Sequence, residues 1–171
     1  MERIFLGLGS NQGESRVILS DALHTLGLGL VRLRSSSIWK SEARYVLDQP
    51  AFLNLVAEAW TDLEPEALLD FTSGIEACFG RDRSKEQIKG PRRLDIDILL
   101  YGGRIVETER LSLPHPGLRD RKFVLLPLLE LDGGLVHPAT QLPLIARLAT
   151  LGPQGIYPAF PYDYDRLNIQ G

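Results

Sequence analysis

Asp95 and Asp97 stand two residues apart in the otherwise apolar run Leu94–Tyr101, directly after a segment, Arg81 to Arg93, that holds six basic and two acidic residues. On a β-strand, residues i and i+2 leave the same face with Cα atoms about 6 to 7 Å apart, so both carboxylates can reach one or two shared divalent ions. Hard oxygen donors favour Mg²⁺, which keeps waters and shares its shell with phosphate oxygens. Arginine forks match phosphate oxygens and neutralise charge on a transferred phosphoryl unit. Cations running into a carboxylate pair therefore point to Mg-assisted polyphosphate chemistry. The bland reading is a solvated polar strand face, its aspartates ion-paired to Arg92 and Arg93.

Composition narrows the classes. The chain has 171 residues, 44% hydrophobic and 24% charged, with a net charge of -3, which suits one globular domain spanning 1–171 with an ample core. The acidic balance argues against a nucleic-acid partner, since a basic surface supplies most of that affinity. A single cysteine, Cys78, excludes an internal disulfide framework and fits a reducing compartment. No apolar run approaches the roughly 20 residues of a membrane span. The expectation is a cytoplasmic monomer with small-molecule partners and no membrane partner.

The elements that must carry the site follow from periodicity. Arg3–Gly9 reads as a buried strand with a tight turn after it, the glycines at 7, 9 and 13 marking the passage from strand to helix. Those glycines do not complete a dinucleotide fingerprint, because Gln12 stands where a third glycine is needed. Ile18, Leu19, Ala22, Leu23 and Leu26 form a helical stripe ending at Gly27. Val31–Lys40 reads as one strand with a serine-rich middle, and Phe52–Trp60 as another, Leu53, Leu55, Ala57 and Ala59 facing the core. Pro65 opens a second helix that Gly80 ends. Leu94–Tyr101 is the fourth strand, followed by a hairpin return at 104–107, short helices at Phe123–Leu131 and Leu142–Thr150, and an irregular tail. The order predicts an α+β fold: a ferredoxin-like βαββαβ sandwich with an additional hairpin and C-terminal helices, the helices on one sheet face and the other face open.

Further candidates lie outside the strand. His115 sits between Pro114 and Pro116, with Arg119 and Arg121 close behind, a rigid cationic corner suited to phosphate. Phe52 and Phe123 default to core.

Four ordered segments carry a resemblance: Gly7–Asn11, Asp48–Asn54, Gly90–Asp97, and Leu113–Pro116 with Arg121–Phe123. They resemble the 6-hydroxymethyl-7,8-dihydropterin pyrophosphokinase family of folate biosynthesis. The resemblance implies ATP-dependent transfer of pyrophosphate to the hydroxymethyl group of 6-hydroxymethyl-7,8-dihydropterin, giving AMP. It implies two Mg²⁺ ions on Asp95 and Asp97, with Arg81 and Arg92 joining them in catalysis. It places Glu76, Arg81, Arg83, Arg92, Ile98, Arg110, Ser112, His115 and Arg121 around ATP and its phosphates. Phe52 and Phe123 would sandwich the pterin, with Ser41, Asn54 and Asp95 at its edge. Lys89 stands where many members carry a tryptophan before the Gly-Pro-Arg.

Two rivals remain on the residues alone. A nucleotidyltransferase also pairs a Gly-Ser turn with Asp-x-Asp, though 85 residues separate Ser10 from Asp95 here. A ferredoxin-like module that binds nucleotide without chemistry is the non-enzymatic alternative.

Overall fold

In a computed structural model, residues 1–42, 50–80 and 93–159 are described. The elements are β1 (Glu2–Ser10), α1 (Ser15–Gly27), β2 (Val31–Ser35), β3 (Trp39–Ser41), β4 (Phe52–Thr61), α2 (Pro65–Cys78), β5 (Asp95–Tyr101), β6 (Val106–Glu107), β7 (Ser112–Leu113), α3 (Lys122–Leu131), α4 (Leu144–Thr150) and β8 (Ile156–Pro158). The main sheet runs β5-β1-β4-β3-β8, with β2 also paired to β4, and its pairings are antiparallel. The expected βαββαβ sandwich is present. Strands β6 and β7 form the additional hairpin as a separate two-stranded sheet.

Alternation along the central strands separates two faces. Ile4, Leu6 and Leu8 of β1, Leu55, Ala57 and Ala59 of β4, and Ile96 and Ile98 of β5 join the buried stripe of α1 and Leu68 and Ile75 of α2 in the larger core. Such burial is the main favourable term in folding. Gly29, after α1, permits a close crossing: a Cβ there would lie 2.7 Å from the Phe71 ring.

The opposite face is not left open, in contrast to expectation. Phe5, Val56, Leu99 and Leu100 pack there against Val124, Leu125, Leu128 and Leu131 of α3 and Leu144 of α4. A β-bulge supplies part of this surface. Phe5 pairs with Leu100 while Leu6 pairs with Ile98, so Leu99 is the extra residue. Beyond it the alternation changes phase: Leu100 joins the α3 side, and Tyr101 turns into the larger core with its hydroxyl donating to the Leu63 carbonyl at 2.7 Å.

Two further departures have local causes. The single strand expected over 31–40 is split into β2 and β3. Between them the Ser36 hydroxyl accepts the Val56 N–H at 2.9 Å, taking the place of a ladder carbonyl. The tail also contains order: β8 adds to β3, with Ser41 opposite Ile156 and Trp39 opposite Pro158. Among the described residues no helix is long and apolar enough to cross a membrane.

At the far end of the α3 face, Glu58 is 1% exposed and takes ion pairs from Arg3 on β1 and Arg34 on β2. Arg3 also reaches Asp132 beyond α3 at 2.7 Å, and that hydrogen bond holds the Asp132 carboxyl below its ordinary range. The cluster ties three strands to the end of α3. Replacing the buried carboxylate strands two guanidinium groups, so Glu58→Ala is expected to cost about 3 kcal/mol in urea unfolding.

Candidate functional site

Next to the apolar packing under α3, the same sheet face continues in three rows across the strands. In the first, Asp97 of β5, Gly7 of β1 and Val56 of β4 lie side by side; in the second, Asp95, Gly9, Asn54 and Trp39 of β3 do the same. The third adds Phe52 opposite Ser41, with Ile156 of β8 beyond. Asp95, Asp97 and Phe52 are all half-buried, so they border solvent while resting on the sheet. The i, i+2 spacing has put both carboxylates on one face, as expected.

Glycines 7 and 9 lie inside β1, within the strand expected over Arg3–Gly9, and the turn follows it. Gly13, at φ +69°, is the turn glycine. The two strand glycines form a floor without side chains between the aspartates and Asn54. A Cβ on Gly9 would stand 3.3 Å from Asn54 Oδ1 and one on Gly7 3.3 Å from the Leu99 side chain. The signal for this role was their separation of two, which places both on the aspartate face. Ser10 alternates to the core face, fully buried, and its hydroxyl donates to Ser15 at 2.9 Å; Asn11 donates to the Pro50 carbonyl at 3.1 Å and fixes the entry to β4.

On the pterin side of the expectation, Asn54 is buried and donates through Nδ2 to the Ser41 hydroxyl at 2.9 Å. Phe123 lies in the first turn of α3, half-buried at the edge of the α3-side cluster, with the Arg121 guanidinium 5.8 Å from its ring centroid. Helix α3 is fastened over β3 by Glu130, which accepts from Ser37 N–H at 3.0 Å and from the Trp39 indole N–H at 3.2 Å.

On the phosphate side, His115 Nε2 stands 3.7 Å from Asp97 Oδ2. Its Nδ1 accepts the Gly117 N–H at 2.9 Å, so the neutral ring carries its proton on Nε2, toward the carboxylate. Burial pushes the imidazole pKa down to about 4, with the Arg121 charge adding to the fall and Asp95 opposing it. Arg121 folds over Gly117, where a Cβ would lie 2.7 Å from its Nε. His115, Arg121, Asp95 and Asp97 thus share one electrostatic neighbourhood.

The remaining candidates are placed differently. Glu76 is 1% exposed on α2, and Oε1 accepts the Ile96 N–H at 2.7 Å, between the two aspartates on the edge strand. Ile98 is 3% exposed in the larger core, so any nucleotide contact it makes falls to its backbone. Arg110 pairs with Glu66 and Asp70 of α2, and Ser112 donates to Glu107 at 2.7 Å. Arg81, Arg83, Lys89 and Arg92 lie outside the described residues.

No group of three or more potential metal-ligating His, Cys, Asp or Glu side chains occurs among the described residues. Two carboxylates still suit Mg²⁺, which typically takes one or two from the protein and completes its shell with water and substrate phosphate. The bare glycine floor leaves room for those ligands, so the residues fit the ion.

The imidazole gives a stability prediction for the metal-free protein. Below about pH 6.5 the unfolded chain's histidine takes up a proton that folded His115 refuses until about pH 4. Its contribution is therefore present above pH 6.5 and is lost as the pH falls toward 4. In urea unfolding with chelator, His115→Gln is expected to reduce the slope of stability against pH across that window.

Comparisons with known proteins identify the family of the chain. Residues 5–133 match the family model described as 7,8-dihydro-6-hydroxymethylpterin-pyrophosphokinase (HPPK). A folic acid synthesis protein, fol1, of Pneumocystis carinii is 38% identical over 169 residues, 98% of this chain and 23% of that protein. A 2-amino-4-hydroxy-6-hydroxymethyldihydropteridine pyrophosphokinase of Methylorubrum extorquens is 39% identical over 158 residues, 91% of this chain and 98% of that protein. Among solved structures, an HPPK-DHPS in complex with substrates superposes with a TM-score of 0.70 at 14% identity, over 86% of this chain and 43% of that one, a likeness of fold. The chain thus spans under a quarter of the fungal relative's length and nearly all of the bacterial one's. The two carboxylates on a glycine floor stand within the span matched by the model, and the chain belongs to the 7,8-dihydro-6-hydroxymethylpterin-pyrophosphokinase family.

Proposed function

We propose that this protein transfers pyrophosphate from ATP to the hydroxymethyl group of 6-hydroxymethyl-7,8-dihydropterin, releasing AMP. The observation that carries the reading is the row Asp95–Gly9–Asn54 beside Asp97–Gly7, in a chain of this family. Metal-binding oxygens and a hydrogen-bonding amide stand on one sheet face with no side chain between them. That is the arrangement needed to bring a polyphosphate and a flat heterocycle into contact.

In the reaction, the bond from the hydroxymethyl oxygen to the β-phosphorus forms, and the bond from that phosphorus to the oxygen bridging to the α-phosphorus breaks. Asp95 and Asp97 would hold Mg²⁺, which when bound neutralises charge on the phosphates and acidifies the attacking hydroxyl. His115 is neutral near pH 7 and donates from Nε2 toward the phosphate side without adding a charge that titrates there. Arg121 supplies fixed positive charge beside it. Asn54, held by Ser41, offers its amide to the pterin edge; Phe52 and Phe123 offer ring faces. Glu76 acts on the reaction only through the strand, by fixing the backbone between the two carboxylates.

The basic residues Arg81, Arg83 and Arg92 complete the proposal as phosphate contacts on sequence grounds. The single unit over 1–171 is favoured by β8, which returns the chain to the same sheet after the family match has ended. A cytoplasmic monomer acting on ATP and the hydroxymethyl pterin remains the reading of partners and location.

With Mg-ATP and the hydroxymethyl pterin, the expected nucleotide product is AMP; pterin-dependent formation of ADP, or no pterin-dependent turnover, overturns the proposal. Asp97→Ala should lower kcat by more than about a hundredfold with an unchanged circular dichroism spectrum, and retained turnover would remove the metal role. Gly9→Val should abolish pterin binding measured by calorimetry, because its methyl groups occupy the floor beside Asn54, while thermal unfolding stays cooperative. Pterin binding equal to that of the unsubstituted protein would show that the floor is not the pterin surface.

A further inference from the structure

Helix α3 begins without a cap of its own. The N-cap position is Arg121, whose side chain makes no capping hydrogen bond, although helices favour Ser, Thr, Asp or Asn there. The missing acceptor comes from far along the chain: Gln154 Oε1 accepts the Lys122 N–H at 2.9 Å, while Gln154 Nε2 donates to the Asp120 carbonyl at 3.0 Å. One amide side chain thus grips the backbone on both sides of Arg121. Arg147 of α4 fastens the approach to the same point, donating to the Arg119 carbonyl at 3.0 Å and pairing with Asp120 at 2.7 Å.

The residues immediately after Gln154 hold the other wall. The Gly155 carbonyl accepts the Glu42 N–H at 3.2 Å, Ile156 stands opposite Ser41 in the sheet, and the Tyr157 hydroxyl donates to Glu42 at 2.7 Å. Gly155 is at φ +61°, and a Cβ there would lie 2.8 Å from Glu42 Oε2, so the strap approaches Glu42 too closely for a side chain. Four residues, Gln154 to Tyr157, therefore connect the start of α3, with Arg121 and Phe123, to the end of β3, with Ser41. These walls otherwise meet through the Glu130 bonds at the other end of the helix.

We infer that Gln154 is a positioning residue for the pterin site, setting the place of Phe123 and Arg121 relative to Ser41 and Asn54 by capping α3 from the C-terminal strap. This rests on the proposed pterin pyrophosphokinase activity and deepens it. The strap lies past residue 133, where the family model's match stops, so the site is completed by a part of the chain that the match does not reach. A serine or aspartate at position 121 would cap the helix locally but would forfeit the cation beside His115. A remote glutamine satisfies the helix and leaves the arginine free for charge.

The test uses the full chain and separates this inference from the function beneath it. Pterin affinity is measured by calorimetry in the presence of a non-hydrolysable ATP analogue and Mg²⁺, alongside kcat, both KM values and the melting temperature. Gln154→Ala is expected to raise the pterin Kd about tenfold, the scale of two lost hydrogen bonds, with KM for ATP changed much less. Gln154→Glu keeps the acceptor for Lys122 N–H and loses the donor to Asp120, so it should recover part of the affinity. Hydrogen exchange at the Lys122 amide should be faster in the alanine variant. Pterin affinity of Gln154→Ala within twofold of the unsubstituted protein, even with a lowered melting temperature, overturns the inference and leaves the function standing. An unsubstituted protein that binds Mg-ATP and no pterin overturns the function and this inference with it.

Discussion

A buried carboxylate on α2 holds the edge strand at the point from which two other carboxylates depart. Glu76 accepts the Ile96 N–H in the interior, and Asp95 and Asp97 flank that residue on the opposite face. Strand β5 is the edge of the main sheet, so one side of its backbone has no strand partner. A buried donor left without a partner would cost about 1 to 3 kcal/mol, and an edge free to shift would let the two like charges move apart. The helix-borne acceptor prevents both. The site depends on those two oxygen donors keeping their spacing on one face of the strand.

The sheet contributes by subtraction as much as by addition. Its larger core is filled in the ordinary way by alternating apolar residues under α1 and α2. On the other face the chain places Phe5, Val56, Leu99 and Leu100 where α3 must sit, and glycines where it must not. The bulge at Leu99 marks the frontier: the carboxylate positions lie before it on β5, and α3 packing begins with it. Strand bulges commonly re-aim side chains next to functional surfaces, and here one bulge divides a single strand between two duties.

The charged groups show why burial and charge have to be read together. His115 and Asp97 approach each other, yet the imidazole stays neutral because burial and Arg121 outweigh Asp95. Glu58, more deeply buried than His115, faces two arginines and sits in an ion-pair cluster. The difference lies in the partners that each fold element presents and not in residue type. Helix α3 is positioned by such remote polar contacts at both ends, through Glu130 near its C-terminus and Gln154 at its start.

The sequence by itself determined the carboxylate pair, the basic composition before it and the order of strands and helices. Each of these rests on a local rule: period two on a strand, period 3.6 on a helix, and proline or glycine at element ends. The same rule contained the role of glycines 7 and 9, since two residues apart on a strand means one face, but a Gly-Leu-Gly before a helix equally describes a turn. Tertiary structure decided what no local period can express. It split the strand at Ser36, whose hydroxyl replaces a ladder bond. It shifted the phase of β5 at Leu99 and covered the second face with α3. It sent Glu76 inward, and it brought Gln154, more than thirty residues downstream, to the helix start it caps. Those outcomes depend on which distant surfaces meet, and a residue's neighbours along the chain carry no record of that.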